Sequence, residues 1–462
     1  MAFSKKVYSL IAAAVTAAAL FIGIYICHWH EAEPAWTFAF YLDGSGNLLI
    51  EQQRNLREII QGSRMLERAN VVVYLDRGTA PAAPMIHAWK GKRIFHVSGT
   101  YSEILSHPVT PALPLSVERP RFTGMLLKGL AADEAHLFER HYVLESGRYV
   151  LKEKGPAPEE EQAMVAALQK SGYLFSEDTF TQTVSTESIS RFFSLVRDNY
   201  PARHYAFFIA GHGVGWSSLR SMQPSSEKAI TQQLNKSFYA DAIKKGLIHN
   251  EPEILCLDLC LMADLQTLYQ LRQSAAYLVL GQGPMPAGGQ DYRYLFQRIT
   301  AESASRPEAM ARAIFASSTY ALDKSKLNSA ITLIRTGPGI DAFITGFVDM
   351  IMAEGAQRIA ELQKDTYTRL PRWGGQAHEM IDLKSFIEAV RAETGISGPD
   401  TSAFVLSAHS TSKKASGLSI YYPQDAKTFL ANRDEYAGLD FNEATGERWL
   451  EILDLKHGRG CP

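Results

Sequence analysis

Apolar positions along this chain recur in two periods, and the two alternate. "WTFAFYLD" is a short apolar, aromatic run ending in Asp-Gly, the pattern of a buried strand. "NLLIEQQRNLREII" then sets Leu48, Leu49, Leu56, Ile59 and Ile60 at roughly helical spacing. "ANVVVYLDRG" predicts a second buried strand with the same Leu-Asp ending. "RIFHVSG", "FTGMLLKG" and "HLFERHYVLE" read as further strands in a hairpin region. "STESISRFFSLVRDNYP" predicts a helix with Ile189, Phe192, Phe193 and Val196 on one face and Pro201 past its end.

The alternation continues. "HYAFFIAGHGVGW" reads as a strand feeding a glycine-rich loop, and "SFYADAIKKGLI" as a short helix. "PEILCLD" predicts a strand, "LMADLQTLYQLRQSA" a helix, "AYLVLG" a strand and "RPEAMARAIFASSTYAL" a helix. This order implies right-handed crossovers and an α/β fold: a mostly parallel sheet flanked by helices. After about residue 340 the rhythm changes. "DAFITGFVDMIMAEGAQRIAELQ" and "LKSFIEAVRAET" are helical patterns, with "TRLPRWGGQ" as a loop between them. They precede two strand-like pieces, "SAFVLSAHS" and "GLSIYYPQ". The expected division is a segment 1–33, a catalytic domain 34–340 and a smaller C-terminal subdomain 341–462 packed on the sheet.

The first segment carries Lys5 and Lys6 and is then uncharged from Val7 to Cys27. That run is long enough to cross a bilayer core of about 30 Å as a helix. Lysines before it and "HWHEAE" after it orient the rest of the chain outside the cytoplasm. The expectation is a transmembrane signal anchor; a cleaved signal peptide, giving a secreted chain, is the competing reading. Bulky Tyr25 and Ile26 argue against a lipoprotein site at Cys27, and "HWH" reads as interfacial rather than metal-binding.

Composition narrows the classes. With 462 residues, 46% hydrophobic, 21% charged and net charge -2, the chain is an ordinary globular protein holding core enough for two or three domains. A near-neutral balance gives no reason to expect nucleic acid as a partner. The cysteines, Cys27, Cys256, Cys260 and Cys461, do not make the dense framework of a small secreted module. No HExxH, Walker A or G-x-S-x-G motif is present.

Chemistry in open parallel sheets collects at the C-terminal ends of strands. "YAFFIA" ends just before His212, and "EILCLD" ends just before Cys260. On neighbouring strands these two would share a rim. A thiolate is a nucleophile, and an imidazole beside it can take its proton. A helix beginning just after Cys260 would lower the thiol pKa further. The amides of Gly213 and Cys260 are candidates for an oxyanion hole. The plain readings are a turn histidine and a core cysteine. Cys256, inside an apolar strand, reads as inert packing; along a regular strand it would lie about 13 Å from Cys260, too far for a disulfide without a bend.

"WTFAFYLDGSGNL", "NVVVYLDRG", "HYAFFIAGHGVGW", "LCLDLCLMADLQTLYQLRQSAAYLVL" and "GLSIYYP" stand in the order expected of the clostripain-like cysteine peptidases, which the chain resembles from about Trp36 to Pro423. That family belongs with caspases, legumains and gingipains, whose His-Gly motif precedes an Asp-x-Cys or Ala-Cys motif. The resemblance implies a caspase-like sheet, protein or peptide substrates, His212 as general base and Cys260 as nucleophile. It puts Asp258 near the pocket for the residue before the scissile bond, where a carboxylate suits Arg or Lys; its ordinary role would be to cap a turn. Gln282, the other residue expected to bind substrate, stands where the family tends to carry acidic residues. "AGHGVGW" departs too, where the family more often has Asn before the His. A catalytically degenerate relative that binds peptides or proteins at the cell envelope is therefore the alternative. The resemblance leaves calcium open without a motif for it. It also raises zymogen cleavage at Arg220 or Lys228.

Overall fold

The computed structural model describes residues 34–44, 48–66, 69–76, 92–97, 142–145, 148–151, parts of 189–199, 200–213, 215–216, 252–356, 358–359, 370–373 and 379–459. The expected anchor 1–33, "FTGMLLKG", "SFYADAIKKGLI", Arg220, Lys228 and Cys461 lie outside these residues. Among the described residues no helix is long and apolar enough to cross a membrane.

Eight strands build the main sheet. They are β1 (Trp36–Asp43), β2 (Ala69–Asp76), β3 (Lys92–Val97), β6 (His204–Ala210), β7 (Ile254–Asp258), β8 (Tyr277–Gly281), β9 (Ala330–Arg335) and β12 (Val405–Ser410). Their order across the sheet is β12-β9-β8-β7-β6-β1-β2-β3. β1, β2, β6, β7 and β8 run parallel; β3, β9 and β12 each pair antiparallel. β4 (Tyr142–Glu145), the end of the expected strand "HLFERHYVLE", forms a separate antiparallel pair with β5 (Arg148–Leu151), which the expected strands did not include.

The period of two in the strands sorts their side chains onto two faces. Phe38, Phe40, Val71, Val73, Phe208 and Cys256 pack beneath α1 (Leu49–Ser63), α3 (Tyr292–Arg298) and α5 (Pro307–Ser325), with the short α4 (Ala301–Ser305) between the last two. Tyr41, Tyr74, Phe207, Leu255 and Leu257 face the other layer. That layer holds Ile189, Phe192, Phe193 and Val196, the face expected of the 189–199 helix. It also holds α2 (Leu265–Leu271), α6 (Pro338–Glu354), α7 (Leu383–Thr394) and α10 (Arg448–Lys456). Both faces are buried, which is why the strands read as continuous apolar runs.

The C-terminal segment is woven into this architecture. β12 is the edge strand of the main sheet. β10 (Arg372–Trp373), β11 (Met380–Asp382) and β13 (Ser419–Tyr421) form a small antiparallel sheet beside it, followed by α8 (Ala426–Ala437) and α9 (Asp440–Ala444). Three local expectations change. β9, "AITLIR", was not legible as a strand between two longer helical patterns. "TRLPRWGGQ" is not all loop, because Arg372 and Trp373 pair with Ile381 and Met380. The pattern running through residue 363 is broken by Gly355, whose φ of 77° ends α6.

Candidate active site

The sheet brings the two strand ends together by register. Ala210 of β6 pairs with Asp258 of β7, and the Gly211 N–H continues the ladder to the Asp258 carbonyl at 3.4 Å. His212 and Cys260 each lie two residues further along these paired chains. Gly213 then packs on the backbone of the second chain. A Cβ there would fall 2.4 Å from the Cys260 carbonyl oxygen and 2.9 Å from its amide nitrogen. Gly215, at φ +69°, lets the same loop pass close to Asp264 and Leu261.

Strand parity turns Cys256 and Asp258 toward one face, and Cys260, just past the strand's end, packs against the same cluster as Cys256. Both cysteines are free, Cys256 buried and Cys260 partly so. The Cys260 thiol accepts the Met285 N–H at 3.2 Å. Burial pushes its pKa up, the Met285 bond opposes this, and the nearby Asp258 adds to the rise. The expected helix start just after Cys260 is not found. Leu261 turns the chain at φ 64°, residues 261 and 263 bond to the carbonyls of Gly283 and Gly281, and α2 begins only at Leu265. Its N-cap is Asp264, whose carboxylate takes the Thr267 N–H at 2.9 Å. The positive end of that helix is met by Asp264 and fades within a turn, so it does not lower the thiol pKa. A leucine in the left-handed region costs roughly 1–3 kcal/mol, a local strain held at the residue after the thiol.

Cys256 sits where its apolar strand predicts. Its thiol accepts the Gln290 side-chain N–H at 3.7 Å, and burial raises its pKa well above the ordinary thiol value. Asp258 is buried too. Its Oδ2 accepts the Gln290 N–H at 2.8 Å and the Tyr292 hydroxyl at 2.9 Å, while its Oδ1 has no hydrogen-bond partner among the described residues. Desolvation lifts this carboxyl to about 6 against the pull of those two bonds.

Gln282 is committed inside the protein. Its Nε2 donates to Asp382 Oδ2 at 2.9 Å and to the Leu418 carbonyl at 2.6 Å; its Oε1 accepts the Gly417 N–H at 2.8 Å. The side chain clamps the segment after β8 to β11 and β13. No motif in the sequence marks Met285, Leu261 or Asp264 as part of the site. Only Asp264 carried a local signal, an acidic residue just ahead of a helical pattern. It is fully buried, and desolvation lifts its carboxyl to about 7. For calcium the fit is poor: among the described residues no group of three or more His, Cys, Asp or Glu side chains could hold an ion.

The chain matches the model of peptidase family C11, the clostripain family, over residues 40–452. Its fold is similar to an inactive zymogen C11 protease from Parabacteroides distasonis, at TM-score 0.54 and 15% identity, covering 90% of this chain and 99% of that one. It is equally similar to a secreted C11 cysteine protease from Bacteroides thetaiotaomicron in complex with an irreversible peptide inhibitor. There the TM-score is 0.54 at 13% identity, with 89% and 99% covered. No curated protein matches in sequence. With the family model spanning most of the chain, and its α/β sheet shared with those proteases, this protein belongs to the clostripain family and is a cysteine peptidase.

Proposed function

We propose that the protein is an endopeptidase in which Cys260 attacks the scissile carbonyl and His212 serves as acid and base. One observation carries this reading: the β6–β7 register sets the two residues side by side on one rim, with Gly213 against the Cys260 backbone. The Cys260 thiol gives its proton to His212 as sulfur bonds to the carbonyl carbon. The N–H groups of Gly213 and Cys260 hold the resulting oxyanion. His212 then protonates the leaving amine, and the C–N bond breaks to leave a thioester on Cys260. Water, losing a proton to His212, hydrolyses the thioester and restores the thiol. A thiol whose pKa is raised needs that base, because little thiolate exists at neutral pH without it.

Asp258 reads the residue before the scissile bond in this proposal. Its unpartnered, buried Oδ1 suits an Arg or Lys side chain, which would bring the carboxyl back to its charged form. Gln282, the other expected substrate contact, has its carboxamide bonded within the protein, which supports a holding role for it. The uncharged run from Val7 to Cys27 supports an anchored, extracytoplasmic placement.

Turnover of fluorogenic peptides with Arg, Lys or neutral residues before the scissile bond tests this, with Cys260→Ala and Cys256→Ala alongside. Loss in Cys260→Ala alone is expected. No turnover of any peptide, with no labelling of Cys260 by a thiol-reactive peptide, returns the chain to the non-catalytic binding alternative.

A further inference from the structure

A cavity of about 560 Å³ opens between the residues before β9, those after β12, and β10. Trp373, Arg372, Thr411, Lys413, Lys414 and Asn328 line it, and no carboxylate does. Arg372 is balanced by Glu379, with Nη1 and Oε1 2.5 Å apart. Lys413 and Lys414 are exposed, and among the described residues neither has a carboxylate within ion-pair distance. The cavity thus presents two ammonium groups over an aromatic floor.

Its wall is one backbone step from the nucleophile's turn. The Trp373 indole packs on Gly283, where a Cβ would lie 2.7 Å from its Cδ1 and 2.9 Å from its Nε1. The Gly283 carbonyl accepts the N–H of Leu261, the residue after Cys260, at 3.1 Å. The Gly283 N–H goes to Ser329 Oγ at 3.0 Å, and Ser329 is tied to Thr411 in the cavity wall. Further along, the same segment covers Asp258 through Gly289 and Gln290, so the cavity and Asp258 flank it at different points. Gln282 and Asp382 clamp the segment between them.

We propose that this cavity is a second substrate subsite, which takes an Asp or Glu side chain of the peptide at a position other than the one before the scissile bond. The inference rests on the peptidase reading above. The carboxylate pairs with Lys413 and Lys414, and the methylene portion of the side chain lies on Trp373. The volume lies within the range of ordinary ligand pockets. Because the lysines are solvated, the pairing weakens with salt.

The test is a positional peptide library cleaved by the full chain and by a K413E/K414E variant, whose exposed substitutions leave the core untouched. Acid over lysine at one such position is expected to raise kcat/KM about three- to ten-fold at low salt. The variant should invert that preference while its choice of residue before the scissile bond stays the same. An acidic preference unchanged in the variant, or no discrimination at any such position, overturns the subsite while leaving the peptidase reading intact. If no peptide is cleaved, the peptidase reading fails, and fluorescence titration of Cys260→Ala protein with the acidic and lysine peptides decides. A difference in affinity that inverts in K413E/K414E supports the subsite; equal affinities overturn it.

Discussion

Gly213 lies flush against Cys260, so close that a single added methyl would meet the Cys260 carbonyl oxygen at 2.4 Å and the Leu259 Cβ at 2.6 Å. Neither contact is with the far end of a flexible side chain, so the loop itself would have to move. The residue before this glycine is His212, and the loop's position sets where that imidazole stands.

Gly213→Ala is therefore expected to lower kcat/KM by about 100-fold, since a shift of about 1 Å in a reacting group has that effect. Stability should fall by roughly 1–3 kcal/mol from the overpacking. Steady-state kinetics and urea melts check both. Wild-type kinetics in a folded Gly213→Ala protein would show that the loop's close approach is irrelevant to catalysis.

The two cysteines should differ in reactivity. Iodoacetamide in the native state is expected to label Cys260 and spare buried Cys256, as read by peptide mass spectrometry. Because burial raises the Cys260 pKa, its alkylation rate should keep climbing beyond the pH at which an ordinary exposed thiol levels off. A rate plateau already reached near neutral pH would contradict the raised value.

Two buried carboxyls give a pH signature. Asp258 is lifted to about 6 and Asp264 to about 7. Between about pH 4, where an unfolded aspartate ionises, and these values, the native state keeps protons the unfolded chain has released. Their contribution is thus full at low pH and is lost as pH rises through the folded values. Asp264→Asn keeps a residue able to cap α2 and removes one ionisation, so stability should decline less steeply up to pH 7. Denaturant midpoints across that range measure it; an unchanged slope sinks the assignment.

Gln282→Ala separates a clamp from a substrate contact. It leaves the Gly417 N–H without its acceptor and strips one donor from Asp382, which should cost roughly 1–3 kcal/mol. A raised KM with no loss of stability would instead mark Gln282 as a residue that touches the peptide.

What the sequence determined by itself is local. The apolar runs at residues 36–43, 69–76, 204–210, 254–258 and 277–281 are strands where their pattern puts them, because burial on both faces leaves no other use for such runs. The same period placed Cys256 in the core and Cys260 beyond the strand's end. Tertiary structure decided what no window of sequence contains. Register sets His212 beside Cys260 although 47 residues of chain lie between them. Two contacts, one with Gly281 at the end of β8 and one with Gly283 just after it, hold a left-handed turn at Leu261 where a helix start was expected. Gln282 became a clamp because Asp382 and Gly417, 100 and 135 residues away, reach its two ends. Period fixes which way a side chain points along its own strand; only packing fixes what it meets there.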